Sequence, residues 1–483
     1  MAATVENKEL TIASSSQASK EPQLSACGEA QAEKGELIDT FKLIMRDAYD
    51  AERNPEVATG VAENTLMQEE LQQYFQCNLR LDFTYGDALS GSARLRTALS
   101  NLLNSYFSPF RPVSPEHIII GAGVTSVISQ VARVLVNPGD GVLIAAPYFQ
   151  GFDYDLRLQN GIVPVGVPVP MSQMCTMEEV ACLERALQSN KATANATRIK
   201  AVILCNPHNP LGWCYPPDVL EAYLRLCETH NLHLPSDEIY ALSVFSSSDV
   251  PQPVPFTSIL SFDPTALGVH PARVHVLYGM SKDFDANGFR AGALITQANA
   301  RLVRSLALSA MYMAVGSPTD ALWSALLNDA TYLPAFLAAN RTRLREAYEY
   351  TAAWLRFHGV PYIPSSAGHF LMADMRGVLT DLDRYGSILS ITQVQSMEER
   401  EDALNAYFMK HKVIITPGTT YHLPKSEAGW FRITFAVRRD HVNVALRRIE
   451  RAMGWKTWRG EGLTGPKATA GEESLNGRGS DQA

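Results

Sequence analysis

No apolar run in this chain approaches the ~18 residues of a membrane span, so no membrane partner is expected. The opening MAATVENKELTIASSSQASKEPQ has no apolar core of signal-peptide length, and a cytoplasmic location is expected. No CxxC pair occurs among the seven cysteines, and their number is odd. That pattern reads as reduced thiols rather than a disulfide framework. Without secretion, the sequons at Asn195 and Asn340 read as chance matches. HExxH and paired Cys/His spacings are missing too, so no metal is expected. Charged residues are only 19% and the net charge is −8, with no basic stripe, which argues against a nucleic-acid partner.

What is present is core material. Hydrophobic residues make up 46% of 483, enough for one large α/β unit with an appendage, or for two domains. Short β-rich runs alternate with helical patterns: HIII (117–120), GVLIAAP (141–147), IVPVGVPV (162–169), KAVILC (200–205), LHLPSD (232–237) and RVHVLYG (273–279). Such alternation predicts an α/β fold, a mostly parallel sheet flanked by helices, with its ligand site in the loops at the strand C-termini. Pro235 conflicts with an interior strand because it lacks a ladder donor. From about 298 the pattern turns helical and ends in strands near 412–418 and 431–437 and a helix at 440–453. The expected division is a disordered tail at 1–35, a segment at 36–110 joining the smaller domain, a large domain at 111–328, a small α/β C-terminal domain at 329–456, and a disordered tail at 457–483.

The chemistry-bearing residues cluster at predicted strand ends: Gly121 to Thr125, Pro147 to Phe149, Asn206 to Gly212, Asp237 to Tyr240, and Lys282. Singly, each has a plain structural reading. A GAG is a turn, an Asp after a strand caps a helix, and a lone lysine is a solvated charge. Their convergence on one rim favours pyridoxal phosphate chemistry. That chemistry needs a lysine for a Schiff base and a carboxylate for the pyridine nitrogen. It also needs a hydroxyl and an amide for the ring oxygen, and an arginine with helix-start N–H groups for the phosphate. Arg432 stands in the middle of a strand pattern, where a buried arginine needs a partner; a substrate carboxylate or a structural salt bridge would supply one.

Several stretches give this set a family likeness: GVAENTL (60–66), NPGDGVLIAAPYFQGFDYDLR (137–157), CNPHNPLG (205–212), SDEIYA (236–241), SKDFDANGFRAG (281–292), AGHFLMADMR (367–376), ITPGTTYH (415–422) and WFRITFA (430–436). The sequence resembles class I/II, fold-type I aminotransferases, and most of all their 1-aminocyclopropane-1-carboxylate synthase-like branch. The resemblance implies pyridoxal 5'-phosphate as cofactor, an amino-acid substrate and a homodimer. It makes Lys282 the Schiff-base lysine and proton shuttle, Asp237 the partner of the pyridinium, and Tyr240 and Asn209 the ligands of the ring oxygen. By the same likeness Gly123, Val124, Thr125, Ser281 and Arg290 lie at the phosphate, Phe149 stacks on the ring, and Arg432, Glu63 and Tyr85 face substrate.

The chain also departs from its relatives. Gly279 replaces a serine that touches phosphate, Phe149 replaces a tyrosine, and Asp82–Gly91 does not match the synthases' tyrosine loop. The expected reaction passes through an external aldimine and Cα deprotonation. Transamination comes first, with cyclopropane-forming α,γ-elimination or carbon–sulfur β-elimination as alternatives, in a specialised biosynthetic pathway. A nicotinamide enzyme is a rival through GAGVTS, but Ser126 stands where the third glycine belongs and Asp140 lies in a turn. A catalytically silent scaffold should have lost Lys282 or Asp237. His208, His369 and His422 fall in motif loops, where a lone histidine is more often structural.

Overall fold

The computed structural model describes residues 57–58, 63–78, 86–191 and 197–460. The predicted tail at 1–35, residues 461–483, Tyr85 and Asn195 lie outside the described residues.

Seven strands form one sheet: β1 (Ile118–Gly121), β2 (Gly141–Ala146), β3 (Val163–Pro168), β4 (Ile199–Cys205), β5 (Leu234–Asp237), β6 (Val274–Gly279) and β7 (Gly292–Ile295). Their spatial order is β1-β7-β6-β5-β4-β2-β3. All neighbours are parallel except β7, which runs antiparallel to both β1 and β6. Alternation along each strand feeds two cores. Ile118, Ile120, Leu143, Ala145, Val202 and Leu204 join one core, while Ile119, Val142, Ile144, Ala201 and Ile203 join the other. A strand buried on both faces reads as a continuous apolar run, which is why these segments were visible in sequence.

Pro235 does lie inside an interior strand, opposite His275 of β6. On its other side the β4–β5 pairing is discontinuous, with a bridge at Ala201–His233 and then pairs from Leu204–Ser236 onward. The missing donor falls in that gap, so the ladder loses little.

Helices cover the sheet. α1 (Ala93–Tyr106) starts at Ser92, whose hydroxyl accepts from Leu95 N and donates to Asp320 at 2.6 Å. Its Leu95, Leu99 and Leu102 pack with Leu322, Trp323 and Leu326 in the core of the large sheet. The expected attachment of this part of 36–110 to the smaller region is therefore corrected for α1: an amphipathic helix goes where its apolar stripe finds a partner. α2 (Val124–Leu135) and α3 (Gly151–Asn160) share the other face, through Val127, Ile128, Val131, Phe152 and Leu156. Each such side chain contributes about 1.5–3 kcal/mol on burial.

A second sheet is antiparallel, in the order β10-β11-β9-β8, built from β8 (Tyr362–Ile363), β9 (Phe370–Asp374), β10 (Thr416–Pro417) and β11 (Trp430–Thr434). It packs with the long helix α4 (Tyr332–Phe357) and with α5 (Arg439–Met453) around Leu371, Phe431 and Ile433. The expected tail from 457 begins too early. Trp458 is buried, its ring lies 4.8 Å from Tyr350, and its N–H donates to Glu450. Asn340, the second sequon, is buried in α4, where it accepts from Asn64 and donates to the carbonyl of Asp283.

Candidate active site

Asp237 closes β5 at the sheet's C-terminal rim, and its carboxylate accepts from Ile239 N at 3.3 Å. Burial pushes its pKa up to about 7, opposed by that N–H and by Lys282. Tyr240 follows on the next turn, also buried.

Lys282 follows β6, three residues beyond its end, and keeps part of its surface accessible while its amine is deep enough to be desolvated. That desolvation pulls its pKa down to about 8; Arg432 and Arg290 add to the fall, and Glu63 and Asp237 oppose it. Lys282 thus feels the charges of Arg432, Glu63, Arg290 and Asp237. Ser281, beside the lysine, is buried.

Arg290 ends the same loop with φ 52° and donates to the carbonyl of Asn287 at 2.9 Å. Its guanidinium meets Gly123 across the cleft: a Cβ on Gly123 would sit 2.4 Å from Arg290 Nη2. Gly123 has φ 83° and caps α2 with no side-chain hydrogen bond. The first N–H groups of that helix, including those of Val124 and Thr125, therefore point from a helix start without intrahelical partners. A bare backbone cradle, helix-start donors and an arginine suit an anion such as a phosphate.

Gly279 shows why the serine is missing. A Cβ there would lie 2.7 Å from the carbonyl oxygen of Ala291 and 3.0 Å from Gly292 Cα, because Gly279 and Gly292 pair across β6 and β7.

Arg432 lies in β11, opposite Met372 and Thr416, and is buried. Its Nη1 donates to Asn209 Oδ1 at 2.9 Å, and its guanidinium carbon is 4.7 Å from the ring of Phe370 and 4.8 Å from that of Tyr421. Sequence reasoning did not foresee Phe370 and Tyr421; they reach Arg432 from β9 and the loop after β10. Glu63 accepts from Asn287 Nδ2 at 2.8 Å. Phe149 is half-buried and packs over Gly151, its ring 5.6 Å from that of Phe152. Asp140, considered for a ribose, instead pairs with Arg198 at 2.7 Å. His422 stacks on Tyr148 with ring centres 4.2 Å apart, and His208 is buried.

A desolvated lysine amine, a buried carboxylate on the neighbouring strand and an anion cradle at the start of α2 are the parts a pyridoxal phosphate site requires, so the residues present fit that cofactor. A mostly parallel seven-stranded sheet with such a rim defines a fold-type I enzyme. The comparisons with known proteins agree. The family model for aminotransferase class I and II matches residues 71–449. The chain is 33% identical over 406 residues to a probable aminotransferase, aclI, of Aspergillus oryzae, covering 83% of this chain and 91% of that one. It is 35% identical over 404 residues to probable aminotransferase gliI of Aspergillus fumigatus, covering 81% and 88%. It is 32% identical over 454 residues to 1-aminocyclopropane-1-carboxylate synthase 5 of Oryza sativa subsp. japonica, covering 90% and 80%. In fold it is similar to N-succinyldiaminopimelate aminotransferase of Mycobacterium tuberculosis, with TM-score 0.65 and 22% identity over 89% of this chain and 100% of that one.

The chain belongs to the class I and II aminotransferases, in the branch that includes the 1-aminocyclopropane-1-carboxylate synthases. It is a pyridoxal-phosphate-dependent enzyme. Among the described residues, no helix is long and apolar enough to cross a membrane, and no group of three or more His, Cys, Asp or Glu is set to hold a metal ion.

Proposed function

We propose that the enzyme transfers the amino group of an L-amino acid, with Lys282 as the Schiff-base residue and the base at Cα. One arrangement carries this reading: Asp237 ends β5, Lys282 leaves the adjacent β6, and Arg290 closes the same β6–β7 segment against Gly123 at the start of α2. When bound, the cofactor supplies an electron sink for the charge left on Cα. The protein's residues do the rest. Arg290 and the N–H groups at Gly123, Val124 and Thr125 would hold the phosphate. Phe149 would lie on the ring face. Tyr240 and Asn209 would meet the ring oxygen, and Ser281 would add a hydroxyl beside the lysine. Asp237 would hold a proton on the ring nitrogen. Arg432 grips the substrate carboxylate with a planar fork that a lysine cannot reproduce. Lys282, with a pKa near 8, is neutral often enough at neutral pH to move the Cα proton.

Glu63 favours a second reading. It accepts from Asn287 and acts electrostatically on Lys282, and a carboxylate so held could serve at a γ-leaving group. Cyclopropane formation or carbon–sulfur elimination then replaces transamination, in specialised metabolism. We further propose a homodimer in the cytoplasm, with one domain at 111–328 and a second that starts at 329 and runs through Trp458.

The test is an assay of the purified, cofactor-loaded protein against an amino-acid panel, S-adenosylmethionine and cysteine conjugates. Keto acid without ammonia supports transamination. Ammonia or cyclopropane products favour the second reading. A protein that cannot be loaded at Lys282 refutes both.

A further inference from the structure

His369 is the last residue before β9, and it is completely buried. Neither ring nitrogen has a hydrogen-bond partner among the described residues. Its carbonyl accepts from Phe435 N at 2.9 Å and from Ala436 N at 3.3 Å, which ties it to the end of β11. The ring is therefore held in place by the backbone, with its polar atoms left over. It stands edge-to-face against Tyr240, ring centres 5.2 Å apart at 89°. The next residue, Phe370, carries the face on which Arg432 rests. Lys282 and Arg432 both act on it electrostatically. His369 thus sits among the groups proposed to hold ring oxygen, Cα and substrate carboxylate, and it belongs to none of those roles.

Leaving a buried polar group unmatched costs about 1–3 kcal/mol, and an imidazole has two such atoms. An apolar residue would fill this position without that cost. Two positive neighbours and full burial both disfavour a third positive charge, so the ring is neutral. A neutral imidazole offers one N–H donor and one lone pair. That pair of functions matches a group that also gives and accepts, a hydroxyl or a primary amide. It matches an alkyl side chain not at all, and a carboxylate only by half.

We propose that His369 is a specificity-determining residue that hydrogen-bonds an uncharged polar group on the side chain of the amino-acid substrate. The inference rests on the amino-acid reading of the site above and narrows it to hydroxyl- or amide-bearing substrates.

The experiment uses the cofactor-loaded enzyme and matched pairs that differ only in the polar group. α-Methylserine and isovaline are one pair; neither has a Cα proton to lose, so their equilibrium binding is read from the shift in cofactor absorption without turnover. Homoserine with norvaline, and asparagine with leucine, are compared by kcat/KM, with aspartate as the charged control. The wild type is expected to favour at least one polar member over its alkyl match by about tenfold or more. His369→Leu should erase that preference by losing the polar member only, with a melting temperature unchanged or raised. His369→Gln, which keeps a donor and an acceptor, should restore part of it. The inference is overturned if the wild type shows no preference within any pair. It is overturned equally if His369→Leu weakens both members alike, or if aspartate is the favoured substrate. A lower melting temperature with unchanged ratios would mark a structural histidine and also overturn it. Normal cofactor absorption with flat ratios sinks this inference alone, whereas failure to load the cofactor at Lys282 sinks the site reading with it.

Discussion

Arg432 Nη1 donates to Asn209 Oδ1 at 2.9 Å, joining the second sheet to the loop that leaves β4 of the first. The guanidinium is thereby fixed in one plane, between the rings of Phe370 and Tyr421. The planar fork of the guanidinium is what would recognise a substrate carboxylate. Arg432→Lys keeps the charge but loses the plane and both stacking faces. Steady-state kinetics should show KM for the amino acid rising roughly ten- to a hundredfold, the worth of one charge-assisted hydrogen bond, with a smaller change in kcat. A fall in kcat at constant KM would count against a carboxylate clamp.

Lys282 should control the pH dependence of cofactor loading. Its pKa is about 8 in the fold against 10.5 for an ordinary lysine. Only the neutral amine attacks an aldehyde, so the rate at which cofactor-free protein forms its imine should rise with pH, with a midpoint near 8. Stability follows the same group. Between pH 8 and 10.5 the unfolded chain binds more protons at this lysine than the folded one, so its contribution to stability improves as pH rises through that window. The penalty is fully present below 8. Asp237 acts in the opposite direction: its folded pKa of about 7 lies above 3.8, so its contribution worsens as pH rises between those values. Denaturation midpoints of cofactor-free wild type, Lys282→Met and Asp237→Asn across pH 4 to 10.5 would expose both slopes, since each variant removes one.

Asp237→Asn is nearly isosteric but cannot stabilise a positive ring nitrogen. Borohydride should still trap cofactor on Lys282, as seen by peptide mass. kcat/KM should fall about 10²–10³-fold, the usual loss for a preorganised electrostatic partner. Undiminished turnover would remove Asp237 from its assigned place.

Gly279→Ser would restore the residue that relatives carry. Ordinary reasoning from family resemblance says cofactor binding should tighten. The contacts at Gly279 say otherwise, because a Cβ would strike the backbone of Ala291 and Gly292. We expect a loss of about 1–3 kcal/mol in unfolding free energy and no gain in a cofactor titration. Tighter binding with unchanged stability would contradict the close strand approach.

Much of this was legible in the sequence, for a physical reason. Strands buried on both faces announce themselves as apolar runs, and the stretches after them fall at the rim, whereas the roles of Asp237, Asn209 and Gly123 came from family resemblance. The lone antiparallel strand β7 was not recognised. Its four residues, GALI, are too short to separate from a loop. α1 was assigned to the wrong neighbour because amphipathicity says that a face is buried, not against what. Phe370 and Tyr421 around Arg432 were invisible because contacts between distant segments leave no local pattern. The unmatched nitrogens of His369 belong to the same class, since only packing reveals that none of the described residues hydrogen-bonds them.

The hairpin of β6 and β7 places Lys282 and Arg290 in one connecting segment, clamped at its base by the Gly279–Gly292 pair. Surface loops usually accept insertions and deletions freely. Here a single added residue would rotate the arginine away from the amine or unseat the clamp. Variation in the length of this segment, rather than in its letters, is therefore the change the enzyme can least survive.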